Sequence, residues 1–271
     1  MLLTIRCLLL TLLSAVVACG APAIEPADAD ATGKAEVPAE FAAVHGLVMS
    51  FGEERETQCT AFHVGEGYLL TAAHCLTASA KPLAKVEIFT GSTINLRRPR
   101  GQAKAYWIHP SYASTSGANK QQFDLAMLHA PAFAGAVAMT LSEDGAYNVK
   151  DQATIVGFGD RDRKLGEIIA RIFVATFFGI VAEEAAAEGK LRPPRSRFGR
   201  ALRWKTKQGE QKICRGDSGG PLIVDQKVLG VAVSTQSWLF WQTCFRSLIA
   251  APLTRAEVDD WIANGDWQSL Q

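Results

Sequence analysis

Three short segments of the chain contain the side-chain types that nucleophilic acyl transfer requires. His74 lies in LTAAHC, Asp124 in FDLAML and Ser218 in CRGDSGGPL. A serine nucleophile needs a base that takes its proton, a carboxylate that orients the base, and hydrogen-bond donors for the oxyanion. The three segments could supply these parts, with Ser218 as nucleophile, His74 as base and Asp124 as the orienting carboxylate.

The residues around each side chain fit these roles. His74 follows an apolar run and precedes Cys75, and a crosslink there would hold the imidazole rigidly. Asp124 lies in an apolar run, where a buried carboxylate must have a partner. The glycines beside Ser218 permit a tight backbone with positive φ that presents Oγ outward. Taken alone, His74 also fits a structural or metal-related role, and GDSGGP also fits an ordinary glycine-rich turn.

The same segments resemble the signatures of the chymotrypsin family of serine proteases, and they occur in that family's order of His, Asp and Ser. The segments HPSY (109–112) and GFG (157–159) are similar to further family segments. The resemblance implies a serine endopeptidase built from two six-stranded antiparallel β-barrels and a C-terminal α-helix. It implies protein or peptide substrates, no cofactor, and an oxyanion hole made by the backbone N–H groups of Gly216 and Ser218.

The specificity pocket departs from the trypsin-like pattern. Lys212 occupies the position at which an Asp selects Lys or Arg in trypsin-like members, and like charges in a confined site repel. We therefore expect poor cleavage after Lys or Arg and a preference for acidic or polar side chains. The alternative is that Lys212 turns outward and the pocket is small and apolar. The predicted pocket wall comprises Val233, Ser234 and Thr235.

Activation is a second departure. In the family, a new apolar N-terminus donates its ammonium to the Asp before the nucleophile, here Asp217, but no IVGG-like segment precedes Val44. Three explanations stay open: a different cationic partner for Asp217, cleavage within the segment before Val44, or a site that is not properly formed. The last favours an alternative function, a catalytically weak protease homologue that acts as a binding module in the cell envelope.

The elements that must position these side chains are predicted to be many short strands. Such runs, separated by Gly, Pro and polar turns, predict an all-β barrel or sandwich. The predicted strands are Val44–Phe51, Thr60–Val64, Tyr68–Thr71, Val86–Thr90, Leu125–Leu128, Ala153–Gly157, Ile168–Val174, Pro221–Val224 and Val228–Val233. The apolar run Leu165–Ala182 is interrupted by charges and is interpreted as buried β structure. Residues 182–200 are interpreted as a short helix followed by an exposed basic loop.

The protease domain is predicted over residues 41–271, with barrels at about 41–145 and 146–253 and a helix over 254–264. Thr254 and Glu257 form a capping-box pattern, and Asn264-Gly265 is a stop signal. The net charge is +1, so nucleic acid is not an expected partner. The five histidines lack the spacing of a metal site, so no metal is expected. We expect a monomer.

The first residues indicate export. Residues 1–18 combine one early positive charge with an apolar stretch, as a secretory signal does, and residues 19–40 are a flexible tether by composition. Small residues before Cys19 resemble a bacterial lipobox, which predicts a lipid anchor at Cys19 as the only membrane contact. The alternative is cleavage near Ala18 and a secreted product. The expected location is the cell envelope, including the outer membrane, or the exterior.

Four further cysteines remain in the exported part: Cys59, Cys75, Cys214 and Cys244. An even number in an exported chain suggests two disulfides, and four cysteines allow three pairings. Proximity in sequence favours Cys59–Cys75 and Cys214–Cys244, and free thiols are the alternative.

Overall fold

The computed structural model describes residues 39–52, 55–91, 93–95, 99–146, 152–159, 167–169, 171–180, 202–206, 213–234, 244–245 and 247–270. All of them fall within one compact unit, Gly33–Gln271. The predictions for the signal, the tether up to residue 38, Cys19 and residues 182–200 lie outside the described residues. The division into domains at residues 41 and 146 stays a prediction.

The described chain is mostly β-strand, which confirms the predicted fold class. In chain order the strands are β1 (Val44–Phe51), β2 (Arg55–Gly65), β3 (Tyr68–Thr71), β4 (Leu83–Phe89), β5 (Thr93–Asn95), β6 (Gly101–Gln102), β7 (Ala105–Ile108), β8 (Ala126–His129), β9 (Gln152–Gly157), β10 (Glu167–Ile169), β11 (Arg171–Ile180), β12 (Leu202–Thr206), β13 (Ile213–Cys214), β14 (Pro221–Val224), β15 (Lys227–Ser234), β16 (Cys244–Phe245), β17 (Ser247–Pro252) and β18 (Gln268–Ser269). The helices are α1 (Ala73–Leu76), α2 (Pro110–Ser114) and α3 (Arg255–Asn264), and short 3₁₀ turns cover Ala39–Phe41, Gly117–Phe123 and Pro131–Phe133.

The first half forms one antiparallel sheet of eight strands in the order β18-β7-β8-β3-β2-β1-β4-β6. The expected count for this half was six. The difference comes from the two-residue strand β6 at one edge and from β18, which arrives from the far end of the chain. β18 pairs with β7 through Gln268 opposite Tyr106, and the Tyr106 hydroxyl donates a hydrogen bond to Gln268 Oε1 at 2.6 Å.

The second half is a closed six-stranded barrel in the order β11-β12-β17-β15-β14-β9, as expected. Strand β14 is buried along its whole length. Because side chains alternate across a strand, Leu222 and Val224 join one apolar cluster, while Ile223 joins the larger cluster that includes the first half. This two-sided burial explains why β14 reads as a continuous apolar run.

Helix α3 follows the second barrel and begins as its sequence predicts. The Thr254 hydroxyl accepts from the Glu257 N–H, and the Glu257 carboxylate accepts from the Thr254 N–H, which completes the capping box. Trp261 on this helix stacks on Trp107 of β7 with ring centroids 5.0 Å apart, so α3 packs against the first sheet. Among the residues that the structure describes, no helix has the length and apolar character needed to cross a membrane.

Candidate active site

His74 is held by its backbone and by a crosslink. It lies in α1, immediately after β3, where its neighbours Ala73 and Cys75 are fully buried and the His74 side chain is 36% exposed. Cys75 forms a disulfide with Cys59 of β2, as predicted, with the two Cα atoms 6.3 Å apart. The disulfide fixes the turn that presents the imidazole to the solvent side.

Asp124 faces His74 from the other side of the site. Its Oδ2 lies 2.8 Å from His74 Nδ1, and its Oδ1 accepts the His74 backbone N–H at 2.8 Å. One carboxylate therefore binds both the ring and the main chain of the same residue. This arrangement orients the imidazole with Nδ1 toward Asp124, so that Nε2 is the ring nitrogen that does not contact the carboxylate.

The backbone at Asp124 is a tight turn. With φ −76° and ψ 61° it sits at the centre of an inverse γ-turn, closed by the Leu125 N–H donating to Phe123 O at 2.8 Å. His109 holds this turn on both sides of Asp124. Its N–H donates to Leu125 O at 2.9 Å, and its ring stacks on Phe123 with centroids 5.0 Å apart. Burial lowers the pKa of His109, and Glu257 opposes that effect.

Tyr112 of α2 lies near Asp124 and is nearly buried. Burial raises the pKa of its phenol, as does the nearby negative charge of Asp124. A neutral phenol next to Asp124 adds no second negative charge to the site.

Ser218 lies in a loop whose backbone is fixed on both sides. Its carbonyl accepts the Thr60 N–H at 2.8 Å, and the next N–H, of Gly219, donates to Ala232 O at 2.6 Å. Gly216 and Gly219 have φ of +99° and +89°, a region that favours glycine. Cys75 Sγ lies 3.8 Å from His74 Nε2 and 3.9 Å from Ser218 O, so the disulfide packs against both residues.

The backbone N–H groups of Gly216 and Ser218 were predicted to form the oxyanion hole. Within the part of the chain that the structure describes, neither group donates a hydrogen bond. The Asp217 carbonyl, which belongs to the same peptide as the Ser218 N–H, accepts from the Gly220 N–H at 3.1 Å. The role of these two donors stays a prediction, and their backbone surroundings are compatible with it.

Asp217, the residue before the nucleophile, is completely buried. Its carboxylate accepts the Gly159 N–H at 2.6 Å and the Cys214 N–H at 2.7 Å. A Cβ at Gly157 or Gly159 would collide with this carboxylate, which explains why the GFG turn needs both glycines. Backbone donors from two segments therefore hold Asp217 in this structure.

The predicted pocket is described in part. Val233 is buried in β15, and Ser234 ends that strand, whereas Lys212 and Thr235 lie outside the described residues. Cys214 is disulfide-bonded, and the register of β13 and β16 places Cys244 directly opposite it. Cys59, Cys75 and His74 have ligand atoms within 4.8 Å of one another, but the two sulfurs form a disulfide and carry no thiolate for a metal ion.

Comparison with known proteins identifies the family. The family model described as Trypsin matches residues 38–244, which is most of the chain. The chain belongs to the trypsin family. A trypsin of Saccharopolyspora erythraea is 25% identical over 169 residues, which cover 60% of this chain and 69% of that protein.

Two solved structures support the fold. An HL collagenase structure has a TM-score of 0.57 at 17% identity, and the match spans 82% of this chain and 92% of the collagenase chain. Neuropsin, a serine protease of the mouse brain, has a TM-score of 0.57 at 17% identity, covering 84% of this chain and 95% of its own. At these identities the similarity establishes the fold alone.

Proposed function

We propose that this trypsin-family chain is an active serine endopeptidase with His74, Asp124 and Ser218 as its catalytic residues. The observation that carries the proposal is the double contact of Asp124 with the ring and the main chain of His74, both at 2.8 Å. A binding module needs no such fixed imidazole, whereas a general base does.

The proposed reaction proceeds in two steps. Ser218 Oγ attacks the scissile carbonyl carbon while His74 Nε2 takes the hydroxyl proton, and the protonated imidazole then gives that proton to the leaving amine. Water attacks the resulting acyl-enzyme by the same route and releases Ser218. The N–H groups of Gly216 and Ser218 would donate to the oxyanion in both steps. Asp124 stabilises the imidazolium and holds its orientation.

The triad is tested with a fluorophosphonate, which reacts covalently with an activated serine. We expect the folded chain to be labelled and Ser218→Ala to be neither labelled nor active, with peptide hydrolysis lower by several orders of magnitude. Circular dichroism of both proteins controls for the fold. Equal peptide hydrolysis by Ser218→Ala contradicts the assignment, and a folded wild type that takes no label favours the alternative, a cell-envelope binding module.

We further propose that the enzyme does not select Lys or Arg before the cleaved bond. The support is the family resemblance, which puts Lys212 at the sequence position of the pocket floor, where a positive charge would repel a cationic side chain. A peptide library varied at that residue tests this, with Lys212→Asp as the matched variant. Acidic or polar residues are expected for the wild type, and a shift toward Lys and Arg for the variant. Trypsin-like cleavage by the wild type refutes the proposal.

The anchoring of the chain at Cys19 is also a proposal and rests on the short sequence VVAC. Labelled palmitate fed to expressing bacterial cells should be incorporated into the wild type and not into Cys19→Ser. The variant should move from the membrane fraction to the soluble one. Labelling of both proteins, or of neither, excludes Cys19 as the lipid site and favours a secreted product.

A further inference from the structure

Thr60 connects the nucleophile loop to the opposite half of the fold. It follows Cys59 in β2 and is completely buried. Its hydroxyl donates a hydrogen bond to Gly216 O at 2.7 Å and accepts the Phe158 N–H at 3.0 Å. Its own backbone N–H donates to Ser218 O at 2.8 Å. One residue from the first sheet thus binds the backbone of both residues predicted to form the oxyanion hole.

The contact with Gly216 constrains a peptide that would otherwise rotate with little resistance. Gly216 has φ +99°, and glycine has many accessible backbone conformations. The peptide that follows it is held at both ends, because its carbonyl accepts from the Thr60 hydroxyl and its N–H, that of Asp217, donates to Cys214 O at 3.2 Å. The Gly216 N–H belongs to the preceding peptide, and with the following peptide fixed, fewer backbone rotations remain that could turn this N–H away from the site.

The same hydroxyl also positions the support of Asp217. Phe158, whose N–H donates to Thr60 Oγ1, precedes Gly159, whose N–H donates to the Asp217 carboxylate. The hydroxyl therefore joins the GFG turn and the nucleophile loop, the two segments that surround Asp217.

We infer that Thr60 is a positioning residue that pre-organises the oxyanion hole of this enzyme, an inference that rests on the proposed function. Donors fixed before the reaction stabilise a developing oxyanion without a reorganisation cost during the reaction. If the hydroxyl only satisfied buried polar groups, its loss would lower stability and leave the turnover of the folded enzyme unchanged. The two roles therefore predict different effects of removing the hydroxyl on kcat.

The experiment compares Thr60→Val, which replaces the hydroxyl by a methyl group of similar size, with Thr60→Ser, which keeps the hydroxyl. Thr71→Val is the matched control, because Thr71 is equally buried and its hydroxyl donates to Thr60 O at 2.8 Å without bonding Gly216 or Ser218. Each full-length protein is assayed for peptide hydrolysis, fluorophosphonate labelling and thermal unfolding. Thr60→Ala serves in place of Thr60→Val if the latter does not fold.

For Thr60→Val we expect kcat to fall about 10- to 100-fold, less than the loss of a whole oxyanion donor, with KM changed by less than about threefold. Labelling should slow in parallel, and Thr60→Ser should restore both rates to within about threefold of the wild type. Thr71→Val should lower the melting temperature without this loss of kcat. A folded Thr60 variant with unchanged kcat, or an equal loss in Thr71→Val, overturns the inference. A folded wild type that neither hydrolyses peptides nor takes the label instead refutes the proposed function, and the role of Thr60 falls with it.

Discussion

Acidification should destabilise this protein through His45, a residue outside the proposed triad. His45 lies in β1, is 2% exposed, and both of its ring nitrogens are buried without a hydrogen-bond partner among the described residues. Its ring meets that of Phe133 edge-on with centroids 5.1 Å apart. Burial, and to a smaller extent the neighbouring His63, lower the pKa of His45 from 6.5 to about 3.

The direction and size of the effect of pH on folding stability follow from this pKa shift. Between the two pKa values the unfolded chain binds a proton at residue 45 and the folded chain does not, so protonation favours unfolding. The contribution of His45 to stability is complete above pH 6.5 and is lost as pH falls from 6.5 toward about 3. The slope is about 1.4 kcal/mol per pH unit, so a fall of two units below the unfolded pKa costs roughly 3 kcal/mol.

Two variants separate titration from burial of a polar ring. His45→Leu and His45→Gln both remove the titrating group, and both should flatten the dependence of the unfolding free energy on pH by about 1.4 kcal/mol per unit. Only His45→Leu also removes the unpartnered polar atoms, so it alone should gain about 1–3 kcal/mol above pH 7. Urea unfolding at a series of pH values measures both quantities. If the variants and the wild type have the same slope, the reasoning about His45 is wrong.

Three further predictions concern single residues. Asp124→Asn should keep the fold, as circular dichroism would show, and should lower kcat for peptide hydrolysis about 10⁴-fold, as the same exchange does in chymotrypsin-like proteases. A loss below about tenfold would contradict this prediction. Gly219→Ala should destabilise the fold more than Gly91→Ala. Both glycines have positive φ, but only at Gly219 would a Cβ collide with Thr60 O and Thr71 Oγ1. Equal urea midpoints for the two variants would refute this. Thr254→Ala should cost about 1 kcal/mol by removing the N-cap of α3, and an unchanged melting temperature would argue against it.

The sequence predicted the strands around the site well because their apolar patterns are strong. The predicted bounds of β1, β3 and β14 agree with the structure, and the capping residues placed the start of α3 correctly. The Cys59–Cys75 disulfide was predicted from proximity alone and is confirmed. These features depend on residues close together in the chain, where spacing carries the information.

Features that depend on distant residues were missed. The hydroxyl of Thr60 acts on Gly216, 156 residues later, and no local pattern distinguishes this threonine from others in a strand. The γ-turn at Asp124 was not predicted, because the apolar neighbours of Asp124 hide the break that His109 stabilises. Strand β18 is only two residues long, both are exposed, and it has no apolar alternation. Nothing in its sequence therefore predicted a place in the first sheet.

Strand β18 has a consequence for how the protein is made. The edge of β7 has its neighbour only when residues 268–269 arrive, so a nascent chain whose first half has left the ribosome presents an unpaired strand edge. Trp267, which packs on Tyr68 and lies near His129, arrives equally late. The first sheet therefore cannot be completed during synthesis of its own half. Because His74 and Ser218 also come from different halves, the nascent chain cannot assemble the proposed triad before most of the sequence has been translated.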